Sequence, residues 1–393
     1  MSAVEPLISR NLADAEQARF AAEAGIEWAF ATLKEVSDWD PFLAGADAER
    51  GAVLIADSPI PGQPASGGTF TARVRIDSLP SDPLVTGLAV DGGGPAHDTN
   101  SQLIVTSLGR VGHASRAIQA VLRRIELPPI PAALAFPGPT AVVSVSGSFE
   151  IDGNDWNPDG SSGSCAPVFG ISVSSVLPET APGANEAAVE AALAGSLASV
   201  KGKRQDPTGA PAGANTIASE FALTPARVQS FVGAARNADV ALVGPEVSVS
   251  DIGNSCASSW SSPTCWGTPG KPKVVHLKGD PNPAAPVSTL RISGSSEGHG
   301  ILVVADGELW ISGRFLWHGL IIVTGRRVAL GFLGGGEQIV YGATIFHDAS
   351  AGVESGRGFQ TGNARLRYSC QALSQARKAP KLVTVRSWKE VTP

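Results

Sequence analysis

Apolar residues recur at helical spacing near the start of the chain, where Ile8, Leu12, Ala15, Ala22, Ile26, Ala29 and Leu33 form one stripe. Asp14, Glu16, Glu23 and Glu27 lie largely off it, so the pattern predicts an amphipathic helix over residues 6 to 36. Ala18, Ala21, Ala22 and Gly25 make its middle slim, and small residues let another backbone come close. A mid-helix glycine costs about 1 kcal/mol relative to alanine, so Gly25 points to close packing or a bend. From about residue 50 to 125 the period changes to two. "GTFTARVRI" and "QLIVTSLGRV" alternate as strands, and "SRAIQAVLRRIEL" reads as a strand or a strand leading into a helix.

The proline-rich "LPPIPAALAFPGP" marks a boundary, because proline interrupts both helix and ladder. A β stretch, "TAVVSVSGSFEIDGND", follows it. Alanine-rich helical patterns then lie between residues 184 and 236, with Thr224 as N-cap and Pro225 as first helical residue of one helix. In the last third, short β-runs (ILVV, ELWISG, GLIIVTG, RRVALG, YGATIF) are each ended by glycine. They read as rungs of a coil that bury their faces against one another, with a mixed sheet as the alternative. The fold class is α+β: a long N-terminal α-helix, a β-rich body with a helical insertion, and a C-terminal glycine-punctuated β-solenoid-like region. The expected segments are 1–36, 37–130, 131–236 and 237–393.

Composition sharpens this. Charged residues make up 17% of the 393, while Gly 45 and Pro 29 supply many turns. The net charge of -6 and the lack of a dense Lys/Arg run argue against nucleic acid as a partner. No stretch has the ~18 consecutive apolar residues of a spanning helix.

Four cysteines, Cys165, Cys256, Cys265 and Cys370, form no CxxC pair and have no histidines at zinc spacing. Cys256 and Cys265 flank "CASSWSSPTC", a short loop that a disulfide would close. An even count with one local pair fits an oxidising compartment, against the alternative of four free thiols. Cys165 with Cys370 is what remains if the local pair forms.

"DWNPDG" reproduces the opening of a calcium loop in Asp155, Asn157, Asp159 and Gly160, and Asp152 and Asn154 could add oxygens for Ca2+. The twelfth position is Ala166 rather than glutamate, so this is no EF-hand. A metal-free Asx-rich turn has the same residue types. The histidines are scattered, without HExxH or G-x-S-x-G signatures, and no catalytic residue is expected. Asp306 and Glu308 are the carboxylates that a solenoid carbohydrate enzyme would use, and turn carboxylates are the plainer reading. Trp310 is expected in the core, and Trp317 either in the core or facing outward.

"RNLADAEQARFAAEAGIEWAFATL" resembles the segment after the transmembrane helix in PilX-type minor pilins of type IV pilus systems. Ala15, Ala18, Arg19, Ala22, Glu23, Ala24, Gly25, Glu27, Ala29 and Leu33 are the matching positions. K-type pseudopilins of type II secretion share that signature. "GHGILVVADGELWISGRFLWHGLIIVTG", "NARLRYSCQAL" and "GSFEIDGND" are similar to further segments of large PilX-like proteins. The resemblance implies a non-enzymatic minor pilin in the assembly or tip of a type IV pilus, with residues 37–130 as its pilin-like α/β domain. It implies a helix that packs into the filament through Leu12, Ala15, Ala18, Ala22, Gly25, Ile26 and Ala29. Major and minor pilins would be its partners, at the pilus or cell surface, and a membrane would be met only through a transmembrane segment absent from this chain. The alternative is an extracellular β-solenoid adhesin or a polysaccharide-binding or polysaccharide-processing protein.

Overall fold

The computed structural model describes residues 4–36, 38–63, 68–138, 141–174, 184–203, 216–219, 222–282, 284–349 and 358–392. The chain divides into two compact units, Met1–Glu126 with Leu382–Pro393, and Leu127–Lys381. This differs from the four segments expected, for reasons the strand pairing supplies.

The first unit sets helix α1 (Val4–Lys34) against an antiparallel sheet of β1 (Ala52–Pro59), β2 (Thr69–Arg75), β3 (Gln102–Val111), β4 (Ala114–Arg124) and a last strand, Val383–Val391. "SRAIQAVLRRIEL" is thus a strand without a following helix, paired with β3 from Ser115 to Arg123. The helical stripe is buried by the sheet: Ala22, Ile26, Ala29 and Leu33 share a core with Val74, Leu103, Val105, Ile118 and Leu122. A one-sided helix and a one-sided sheet each need the other, so residues 1–36 are not a separate body. Trp39 closes the end of the helix by donating its indole N–H to the Leu33 carbonyl (2.9 Å). Two turns, α2 (Asp40–Leu43) and α3 (Pro83–Thr86), complete the helices of this unit. Beside α3, Arg75 grips the buried Asp82 carboxylate through two bonds of 2.6 and 2.7 Å.

Among the described residues of the second unit, the named strands pair with one another in parallel. The strands are β5 (Ala132–Phe136), β6 (Val143–Val145), β7 (Glu150–Asp152), β8 (Phe169–Val173), β9 (Val200–Lys201), β10 (Ile217–Ser219), β11 (Val240–Leu242), β12 (Glu246–Ser250), β13 (Lys273–Lys278), β14 (Ser288–Ser293), β15 (Ser295–Ala305), β16 (Gly307–Ser312), β17 (Arg314–Gly325), β18 (Ala329–Leu333), β19 (Gln338–Asp348), β20 (Phe359–Thr361) and β21 (Ala364–Tyr368). The strand Val383–Val391 of the first unit is β22. From β11 to β20 successive strands alternate between two sheets, and each up to β18 pairs with the strand two places on. The segment 131–236 is not separate from this. β5 pairs with β19, β6 with β20 and β7 with β21, so its strands extend the same two sheets.

The inward faces of both sheets form one core, including Val275, Leu302, Leu309, Trp317, Ile321, Phe332 and Phe346. Its helices are α4 (Ala184–Ala192), which sends Val189 into that core, α5 (Pro225–Ala234) and α6 (Cys370–Ala376). Thr224 caps α5 by accepting the Arg227 amide (3.3 Å). Gly300, Gly319 and Gly342 occupy one register position on β15, β17 and β19, with φ of 126°, 136° and 142°. A Cβ on Gly319 or Gly342 would overlap the carbonyl of the glycine on the preceding strand, so this column admits no side chain.

Candidate functional site

The helix residues expected to meet a filament divide into two groups. Ala18, Ala22, Gly25, Ile26 and Ala29 are buried, and against their own unit. Gly25 lies over Ser107 and Phe70, and Gly109 of β3 lies under the Ala18 carbonyl and the Ala22 amide. The slim stripe therefore serves close approach of α1 to its own sheet, which corrects its assignment to neighbouring subunits. Ala15 is half-buried and Leu12 exposed. Residues 8–13 are all exposed, and the large apolar side chains left to solvent on α1 are Ile8, Leu12 and Phe20. Arg19 and Glu23 pair across one helical turn at 3.3 Å, an exposed i,i+4 contact of small energetic weight.

The loop after β7 uses its oxygens to close itself. Asp152 accepts the backbone and side-chain amides of Asn154 (2.9 and 2.8 Å) and the Trp156 indole N–H (3.0 Å). Asp155 accepts the Cys165 amide at one oxygen and the Cys370 amide at the other, both at 2.9 Å. Asp159 accepts the Ser161 amide and hydroxyl (2.9 and 2.6 Å), which draw its carboxyl below the usual range. Asn157 donates to Ser161 and Ser162. Among the described residues Asp152, Asp155 and Asp159 do not form a close group of donor atoms, and the hydrogen bonds they accept are those of an Asx-rich turn.

Cys256 is bonded to Cys265, and Cys165 to Cys370 across 205 residues of sequence. Asp155 holds the amides on both sides of the second bridge, a structural use that the calcium-loop pattern does not suggest. The side chain of Trp266, beside Cys265, is fully buried, and Trp260 is exposed with the Lys273 ammonium 4.1 Å over its ring. Trp310 is buried, as expected, and donates to Glu308 (2.8 Å), while Trp317 is wholly in the core. Asp306 accepts the Arg326 amide at a turn (2.9 Å). His347 bonds Thr324 through Nδ1 (2.8 Å).

The cluster that sequence spacing missed lies on β15 and β17. His299 and His318 share a register position, and their rings stack with centroids 4.3 Å apart. Tyr341 continues the stack from β19. Glu297 sits two residues before His299, so its side chain leaves the same face of the strand. Its Oε1 lies 3.2 Å from His299 Nε2 and 3.6 Å from His318 Nε2. Burial pushes each imidazole down to about 4, with the neighbouring imidazole adding to the effect at His318.

The sequence matches no protein-family model and no curated protein. Among solved structures, the competence-associated pilin ComZ from Thermus thermophilus aligns over 96% of this chain and 98% of its own, with 11% identity and a TM-score of 0.24. Superposition at that level does not define a shared fold. No helix among the described residues is long and apolar enough to cross a membrane.

Proposed function

We propose that the chain is a non-enzymatic minor pilin of the PilX type, active in the assembly or tip structure of a type IV pilus. In this reading α1 enters the filament, the β-rich body is exposed, and other pilins are the partners at the cell surface. The observation that carries it is the set of large apolar side chains that α1 leaves to solvent. The slim stripe is already consumed by the sheet, yet Ile8, Leu12 and Phe20 remain 53%, 64% and 59% exposed. Large apolar side chains on helix turns that its own domain leaves uncovered are suited to packing against another helix. The two disulfides fit an oxidising, extracytoplasmic location.

We read the second unit as a β-solenoid-like coil, supported by the alternation of parallel strands between two sheets. That architecture also favours the second reading, a free-standing adhesin or polysaccharide-binding protein, which leaves the exposed apolar side chains of α1 without a use. For polysaccharide processing, Asp306 and Glu308 give little support, since each already accepts a hydrogen bond from within its own unit.

The test is the double variant Leu12→Glu/Phe20→Glu in the full-length protein, expressed in cells that make the pilus. Its fraction in sheared filaments should fall at least about tenfold, a loss equivalent to ~1.4 kcal/mol of packing, while the purified protein melts as the parent does. Undiminished incorporation would overturn the proposal.

A further inference from the structure

Parallel pairing brings together two histidines that sequence keeps apart. His299 and His318 point the same way from neighbouring strands, and they are 7% and 5% exposed on a face whose next outward pair, Ile301 and Leu320, is fully buried and apolar. Among the described residues neither Nδ1 atom has a hydrogen-bond partner. The other ring nitrogens, the two Nε2 atoms, are the ones placed to hold a ligand.

The Nε2 edges supply the geometry for one. Both face Glu297, and the three donor atoms lie within 4.8 Å of one another. The two nitrogen-to-oxygen edges, 3.2 and 3.6 Å, bracket the separation of about 3.3 Å between ligands held 2.0–2.1 Å from a tetrahedral zinc ion. Glu297 is 52% exposed at its side chain, which opens a path for the ion and leaves a fourth position to water.

We propose that Glu297, His299 and His318 form a binding site for a zinc-class divalent transition-metal ion. Two imidazoles and one carboxylate suit zinc and its neighbours in the first transition row, whereas calcium prefers oxygen donors alone. The ring planes differ by 4° in the metal-free arrangement, so their lone pairs run parallel. Binding tilts the rings toward a common point and adds a tie between β15 and β17.

The test is calorimetric titration of EDTA-stripped full-length protein with Zn2+, with Co2+ as a spectroscopic probe. One ion per chain is expected, with the absorption bands of tetrahedral cobalt. Glu297→Gln alters an exposed side chain, and it should weaken binding about tenfold or more without changing the circular dichroism spectrum. His299→Gln and His318→Gln should abolish binding. If either fails to fold, NMR of the parent's imidazole nitrogens decides instead, since Zn2+ must shift the signals of both rings. Absence of stoichiometric binding, binding unaffected by Glu297→Gln, or unmoved imidazole signals would each overturn the site.

Discussion

Gly109 lies directly beneath the Ala18 carbonyl and the Ala22 amide, so a Cβ at residue 109 would overlap the backbone of α1. Gly25 faces the sheet a turn further on, but what a Cβ would meet there is side chain rather than backbone, the Ser107 hydroxyl and the Phe70 ring. Gly25→Ala also gains about 1 kcal/mol of helix propensity. We therefore expect Gly109→Ala to cost about 2–3 kcal/mol and Gly25→Ala less than half of that. Urea midpoints at unchanged slope measure both, and equal midpoints would contradict the packing described.

Asp98 is pushed up to about 6, first by burial and then by the Asp91 carboxylate. Its ordinary value is 3.8, so between those values the folded state binds more protons than the unfolded one. The sign follows: this group's contribution to stability is complete below about pH 4 and is lost as pH rises through 6. Asp98→Asn keeps an oxygen for the amides of Asn100 and Gln102 and removes the titration. The variant should match the parent near pH 3.5 and exceed it at pH 7 by on the order of 1–2 kcal/mol. Stability curves that run parallel across this range would refute the protonation argument.

The two disulfides constrain the unfolded chain very unequally. Cys165 and Cys370 close a loop spanning a sequence separation of 205, Cys256 and Cys265 one of 9. Chain entropy gives about 5 kcal/mol for the first and about 3 kcal/mol for the second. Paired serine substitutions, compared by denaturant unfolding, should show the larger loss for Cys165→Ser/Cys370→Ser. The reverse order would mean that local strain, rather than loop closure, governs these bridges.

Calcium should have little to bind at the loop after β7. Its carboxylates already accept amide, hydroxyl and indole hydrogens, and a cation would have to displace those donors. Adding millimolar Ca2+ to EDTA-stripped protein should shift Tm by less than about 1 °C. Asp155→Asn should destabilise more than Asp159→Asn, because Asp155 serves both sides of the Cys165–Cys370 bridge while Asp159 closes an exposed turn. A calcium-dependent rise in Tm that Asp159→Asn removes would restore the metal reading.

Much of the local structure was legible in the chain. The helix predicted over 6 to 36 occupies Val4–Lys34, "QLIVTSLGRV" is β3 to the residue, and Thr224 caps the helix that begins at Pro225. These features depend on period, capping and turn chemistry, which neighbouring residues carry among themselves. The candidate sites were less legible. The Asp-Asn run looks alike whether its oxygens face a cation or the loop's own amides, and the direction of Asp155 is fixed by Cys370, which is remote in sequence. His299 and His318 showed no ligand spacing because the connections between paired strands vary in length, so no fixed interval marks residues that stack.

What the sequence by itself determined is where the chain forms helix and strand and which faces are apolar, because those depend on contacts within a few residues. Tertiary structure alone decided what each face meets. It gave the slim side of α1 to its own sheet at Gly109, left Leu12 and Phe20 open, joined Cys165 to Cys370, and aligned two imidazoles over Glu297. The physical reason is register: strand pairing fixes which distant residues share a position, and only the assembled sheets define it.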